Sequence, residues 1–73
     1  MIVYESDLKK QAIYVMEDCY DYVIDNDWKK AHRCYGRATA YEDMLLDVGI
    51  DLEEENESYK SMKDFYHEKG AKQ

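Results

Sequence analysis

Residues 22–31 read Tyr-Val-Ile-Asp-Asn-Asp-Trp-Lys-Lys-Ala, and the polar triplet in the middle decides the fold. Asparagine tolerates the left-handed backbone that ends a helix, and Asn or Asp caps the start of the next one. Asp25-Asn26-Asp27 is therefore a helix break that consumes very little chain. Helices joined by so short a link must lie side by side and antiparallel.

Upstream of the break, apolar residues recur at helical spacing from Leu8 to Ile24. Placed at about 100° per residue, they fill an arc of about 200°, running from Tyr22 through Val15, Leu8, Cys19 and Met16 to Ile13 and Ile24. The opposite side carries Lys10, Gln11, Glu17, Asp18, Asp21 and Asp25, with Tyr14 alone among them. Ser6 or Asp7 is the expected N-cap. One neighbouring helix does not need so wide an arc, so the pattern implies a second neighbour, either a third helix or another subunit.

Downstream, the apolar arc of the second helix holds Trp28, Ala31, Cys34, Tyr35, Ala38, Tyr41, Leu45, Leu46 and Val48. Gly49 is placed to end it, with Ile50 folding back. Residues equidistant from the break should then face each other: Tyr22 and Ala31, Cys19 and Cys34, Val15 and Ala38, Ala12 and Tyr41, Leu8 and Leu45. Several of these layers set a large residue against a small one, as close packing requires. The cysteine layer reads as two reduced buried thiols or as a disulfide stapling the hairpin.

Asp51 is positioned to cap a third helix, with Glu54 completing a capping-box pattern. Its apolar stripe is thin: Leu52, Tyr59, Met62, Phe65 and Tyr66. The expectation is an all-α fold, an antiparallel helical hairpin over about 7–25 and 28–48 with a shorter third helix over about 52–68, forming a small helical bundle. The 73 residues make one domain, with residues 1–5 extended and 70–73 frayed. A domain of this size buries only roughly 60% of its unfolded surface, which favours a stabilising partner. Proline is absent and only three glycines occur, in keeping with long helices.

Function classes narrow by exclusion. The chain has a net charge of −7, and direct nucleic-acid binding calls for a basic footprint instead. No apolar run reaches the length of a membrane span, and no export signal is visible, so a cytoplasmic protein with reduced cysteines is expected. His32, His67, Cys19 and Cys34 lack metal-ligand spacing. Asp25-Asn26-Asp27 lacks the glycine and distal acid of a calcium loop. There is no phosphate loop, nucleophile elbow or other catalytic signature. The expectation is a non-enzymatic protein without cofactor or metal.

What remains are contact surfaces. Asp47, Asp51, Glu53, Glu54, Glu55 and Glu57 fall within a short stretch with no base among them. They read as a solvated helix N-terminus or as a negative surface offered to a basic groove. Lys29, Lys30, Arg33 and Arg37 stripe the outside of the second helix, where they should bridge to Glu17, Asp18, Asp21 and Asp25. Tyr14 is the leading contact residue; Ile13, Tyr20 and Ile24 are candidates for a subunit interface. Gly36, mid-helix, is a tolerated exposed residue or a point where another backbone approaches. Glu42, at the edge of an apolar arc, is an acid bonded at the seam to a tyrosine or lysine, or a specificity charge at an interface.

Compactness, acidity and the lack of a catalytic signature resemble the small accessory proteins of bacteriophages and other mobile elements. The resulting expectation is a homodimeric protein-interaction module that inhibits a basic host protein such as a nucleic-acid enzyme. The alternative is a structural subunit of a larger assembly.

Overall fold

The computed structural model describes residues 5–71. Four helices follow one another: α1 (Glu5–Ile24), α2 (Trp28–Asp47), α3 (Leu52–Glu55) and α4 (Glu57–Gly70). The all-α hairpin is as expected. The Asn26 backbone is left-handed, with φ of 61°. The Asp27 amide donates to the Tyr22 carbonyl and the Asn26 amide to that of Val23. That pair of bonds is the Schellman motif, which satisfies the last carbonyls of α1. Asp27 then caps α2, its carboxylate accepting from the Lys30 amide. One polar triplet thus ends one helix and starts the next.

The same device closes α2. Gly49 has φ of +83°, and the Ile50 and Gly49 amides donate to the Leu45 and Leu46 carbonyls. Of the five expected facing layers, Ala12, Val15, Cys19, Ala31, Ala38 and Leu45 belong to a single buried core cluster, and Leu8, Tyr22, Cys34 and Tyr41 pack against it half-buried. Ala12, Met16, Cys19, Ala31, Ala38 and Leu45 are completely buried in it. Both cysteines are free thiols.

Three boundaries differ from expectation. Ser6 and Asp7 do not cap α1, because the helix is already under way at Glu5. Glu5 and Gly70, expected to be extended or frayed, are both helical, and Ala71 caps the end of α4; residues 1–4 and 72–73 lie outside the described residues. The third helix is not continuous. Asn56 adopts an extended conformation between α3 and α4, and its side chain accepts from the Tyr59 amide. An Asn side chain that caps the following turn outcompetes the helical path through its own position. Asp51 does cap α3, accepting from the Glu53 and Glu54 amides.

Helix α4 lies close along α1 and reaches α2 through its long side chains. It runs antiparallel to α2: Tyr59 and Lys63 reach Glu42, Tyr66 meets His32, and Gly70 lies against the Trp28 ring. Its other side meets α1, where Phe65 packs on Tyr20 with ring centroids 4.8 Å apart. The second neighbour implied by the wide arc of α1 is therefore helix α4.

Candidate interaction surfaces

The α2–α4 seam is built from one row on each helix. On α2 the row is Trp28, His32, Tyr35, Thr39 and Glu42, spaced alternately by four and three residues. On α4 it is Tyr59, Lys63, Tyr66 and Gly70. Residues at such spacing share one helix face. Tyr35 and Tyr66 stack with centroids 4.0 Å apart and planes 7° from parallel. His32 Nδ1 is hydrogen-bonded to Tyr66 Oη, and Tyr35 Oη to His67 Nε2 at 2.7 Å. His32, Tyr66, His67, Gly70 and Ala71 line an open depression of about 350 Å³. Sequence reading weighed the two histidines only as metal ligands. The matched rows were the available signal for their real setting. Among the described residues, no three His, Cys, Asp or Glu side chains gather as a metal-binding group.

Glu42 is turned inward and is the one charged residue in the buried set, at 5% exposure. Tyr59 donates to Oε1 at 2.8 Å, while Lys63 donates to Oε1 at 2.9 Å and Oε2 at 3.0 Å. Both alternatives for an acid at the seam, tyrosine and lysine, are realised together. Burial pushes the Tyr59 hydroxyl well above its ordinary value, and the bond to Glu42 adds to this. For Lys63 burial acts downward, but the bond to Glu42 and the charges of Glu42 and Glu53 outweigh it and leave the ammonium raised. The Cys19 thiol is pushed up to about 12, first by burial and then by Cys34 beside it.

The six-residue acidic cluster is divided by the fold. Asp51 is engaged as the α3 cap, Glu53 lies 3.5 Å from Lys63, and Glu55 pairs with Lys9 at 2.8 Å. The bases missing from the cluster itself come from α1, through Lys9, and from the following helix α4, through Lys63. Asp47, Glu54 and Glu57 stay exposed, with no ion pair among the described residues.

The outer face of α1 holds more free charge. Glu17, Asp18, Asp21 and Asp25 are exposed along it. The ion pairs expected between them and Lys29, Lys30, Arg33 and Arg37 do not form among the described residues. Lys30 instead turns to Asp27 at 3.8 Å and over the Tyr22 ring. Exposed pairs gain little from a fixed geometry that restrains two long side chains, which accounts for the difference. Tyr14 stands 57% exposed on the same face, and Ile24 is 58% exposed near its end. Ile13 and Tyr20 are half-buried, the first against the core and the second also against Phe65. Gly36 is exposed, and no neighbouring atom lies within 4 Å of where a Cβ would stand.

None of the described helices is long and apolar enough to cross a membrane. No protein-family model, no curated protein and no solved structure matches this chain, so its function has to be argued from these surfaces alone.

Proposed function

We propose that this protein is a non-enzymatic interaction module that offers the outer face of α1 to a basic protein partner. One observation carries the reading: Tyr14, a large aromatic side chain left 57% exposed, lies on the face that presents Glu17, Asp18, Asp21 and Asp25 without internal ion pairs. Tyrosine anchors interfaces because a rigid ring with one hydroxyl gives area and a hydrogen bond at small entropic cost. Carboxylates around it supply steering and discrimination more than raw affinity. Acids repeating about every helical turn, or roughly 5.4 Å, form a rod of negative charge. Such a rod suits a groove that otherwise receives a phosphate backbone, so a basic nucleic-acid enzyme is the sharper form of the proposal. Glu54 and Glu57, both exposed, extend the negative field at the other end of the molecule.

The test is capture of partners by the immobilised protein at low and high salt, beside a variant carrying Asp18→Lys and Asp21→Lys. Basic partners that are released by salt and lost in the variant support the reading. Captured partners that are neutral, or bound equally by the variant, sink it. Circular dichroism on the variant confirms that both exposed changes leave the helices in place.

A further inference from the structure

Helix α2 has a third side that touches neither α1 nor α4. Lys29, Arg33, Gly36, Ala40, Met44 and Asp47 lie on it, and all are exposed. Gly36, Ala40, Met44 and Val48 follow at intervals of four residues, with Met44 47% and Val48 58% exposed. This row is a small-to-large apolar ridge of the kind that packs into the groove of another helix.

The charges on this side run against the helix that carries them. The first turn of α2 has no acid and the last turn no base. Lys29, Lys30, Arg33 and Arg37 crowd the positive N-terminal half, while Asp43 and Asp47 crowd the negative C-terminal half. Both placements oppose the macrodipole. Lys29 and Arg33, Arg33 and Arg37, and Asp43 and Asp47 are also like-charged pairs four residues apart, which repel. Apart from the long contact of Lys30 with Asp27, none of these residues has an ion pair among the described residues.

A second α2, antiparallel, reverses every one of these defects. A two-fold axis passing beside Ala40 places residues equidistant from it opposite each other. Arg33 then faces Asp47 of the second copy, and the pair occurs twice. Gly36, Ala40 and Met44 fill the middle, where small side chains allow helix axes to approach to about 8 Å. The same patch meets itself, as a two-fold interface requires. We infer that the outer face of α2 is the contact surface for a second copy of this chain, in an antiparallel, charge-complementary pairing centred on Ala40. This gives Gly36 its use as a point of close backbone approach. The surface is separate from the α1 face offered to a basic partner, so failure of one proposal leaves the other standing.

The test uses two charge reversals, Arg33→Asp and Asp47→Arg, read by light scattering and sedimentation over a concentration series. The wild-type chain is expected to dimerise and to dissociate more readily in high salt. Each reversal alone sets like charges opposite each other at two places and weakens association by roughly tenfold or more. An equimolar mixture of the two variants restores every pair, because one chain then supplies both acids and the other both bases. Dimer should reappear in the mixture and not in either component. Both positions are exposed, so neither reversal endangers the fold, which circular dichroism on each variant checks. A wild-type chain that stays monomeric up to about 1 mM, the weak limit of specific association, overturns the inference. So does a dimer indifferent to both reversals, or a mixture that fails to restore what the single changes removed.

Discussion

Helix α2 holds its two neighbours by different means. Against α1 it presents Ala31, Ala38 and Leu45, all completely buried, in apolar layers without a buried charge. Against α4 it presents Trp28, His32, Tyr35 and Glu42, and the seam is joined by hydrogen bonds and an ion pair. An apolar interface is stabilised roughly in proportion to the area removed from water and tolerates small adjustments. A polar seam depends on every partner being present, since an orphaned buried charge costs more than the pair gains. The hairpin should therefore respond most to loss of buried volume, and the α4 seam to loss of a single polar partner.

The largest expected effect lies on the apolar side. Leu45→Ala removes a completely buried side chain from the hairpin core. Such truncations cost about 2–5 kcal/mol, a large share of the stability of a domain this size. Urea unfolding followed by circular dichroism should show the midpoint falling by a corresponding amount. A loss well under 1 kcal/mol would mean that the hairpin layers are not the main support of the fold.

Next comes the ion pair. Lys63→Met leaves Glu42 buried with Tyr59 as its one remaining partner. Breaking a fully buried pair costs about 3–5 kcal/mol; because Lys63 keeps some solvent contact, about 2–3 is expected. The double change Glu42→Leu with Lys63→Met, made in a Tyr59→Phe background so that no buried hydroxyl is orphaned, removes both charges and should recover much of that loss. If the double variant is no better than Lys63→Met alone, the seam is held by shape and not by its charges.

The two interfaces were not equally legible in the sequence. The hairpin was readable because its information is local. A polar triplet marks the turn, periodicity marks the faces, and counting outward from the turn sets Cys19 beside Cys34. The position of α4 depends on pairings across long stretches of chain, such as Tyr59 with Glu42 and Tyr66 with His32. No local rule links those residues. Glu42 drew attention as an anomaly, and its tyrosine and lysine partners were anticipated as types, but nothing identified which ones. Within the acidic cluster, the pairing of Glu55 with Lys9 is equally remote in sequence, whereas Lys63 lies on the helix directly after Glu53.

Alkaline pH separates the regions less sharply but in a defined direction. The folded-state values of Cys19, Tyr59 and Lys63 are all raised, from ordinary values of 9.0, 10.0 and 10.5. A raised value means that the folded state keeps its proton after the unfolded chain has released one. The associated stability is fully present below the unfolded value and is lost as pH climbs through the folded one. Stability should thus begin to fall above about pH 9, where the cysteine of the unfolded chain ionises, and fall more steeply above pH 10 as tyrosine and lysine follow. Cys19→Ala should reduce the earliest part of this decline, to which the Cys34 thiol, also raised by burial, contributes the rest, and leave the later part. Urea midpoints that stay flat from pH 9 to 11 would contradict the buried, protonated state of these groups.

The smallest effect belongs to the break between α3 and α4, and it decides whether the polar seam positions α4 or merely follows from its position. Asn56 caps α4 through the Tyr59 amide, and Tyr59 in turn donates to Glu42. Replacing an Asn cap by Ala ordinarily costs about 1 kcal/mol. Here two tendencies oppose each other. Alanine is the best helix former and favours joining α3 to α4 in one straight helix. Straightening would rotate Tyr59 and Lys63 away from Glu42 and leave that carboxylate without partners in the interior. The seam should therefore hold the break open even in Asn56→Ala, at a cost of about 1 kcal/mol with the Tyr59–Glu42 bond intact. A rise in helicity together with exposure of Tyr59 to solvent would show the reverse, that the cap directs α4 and the seam follows.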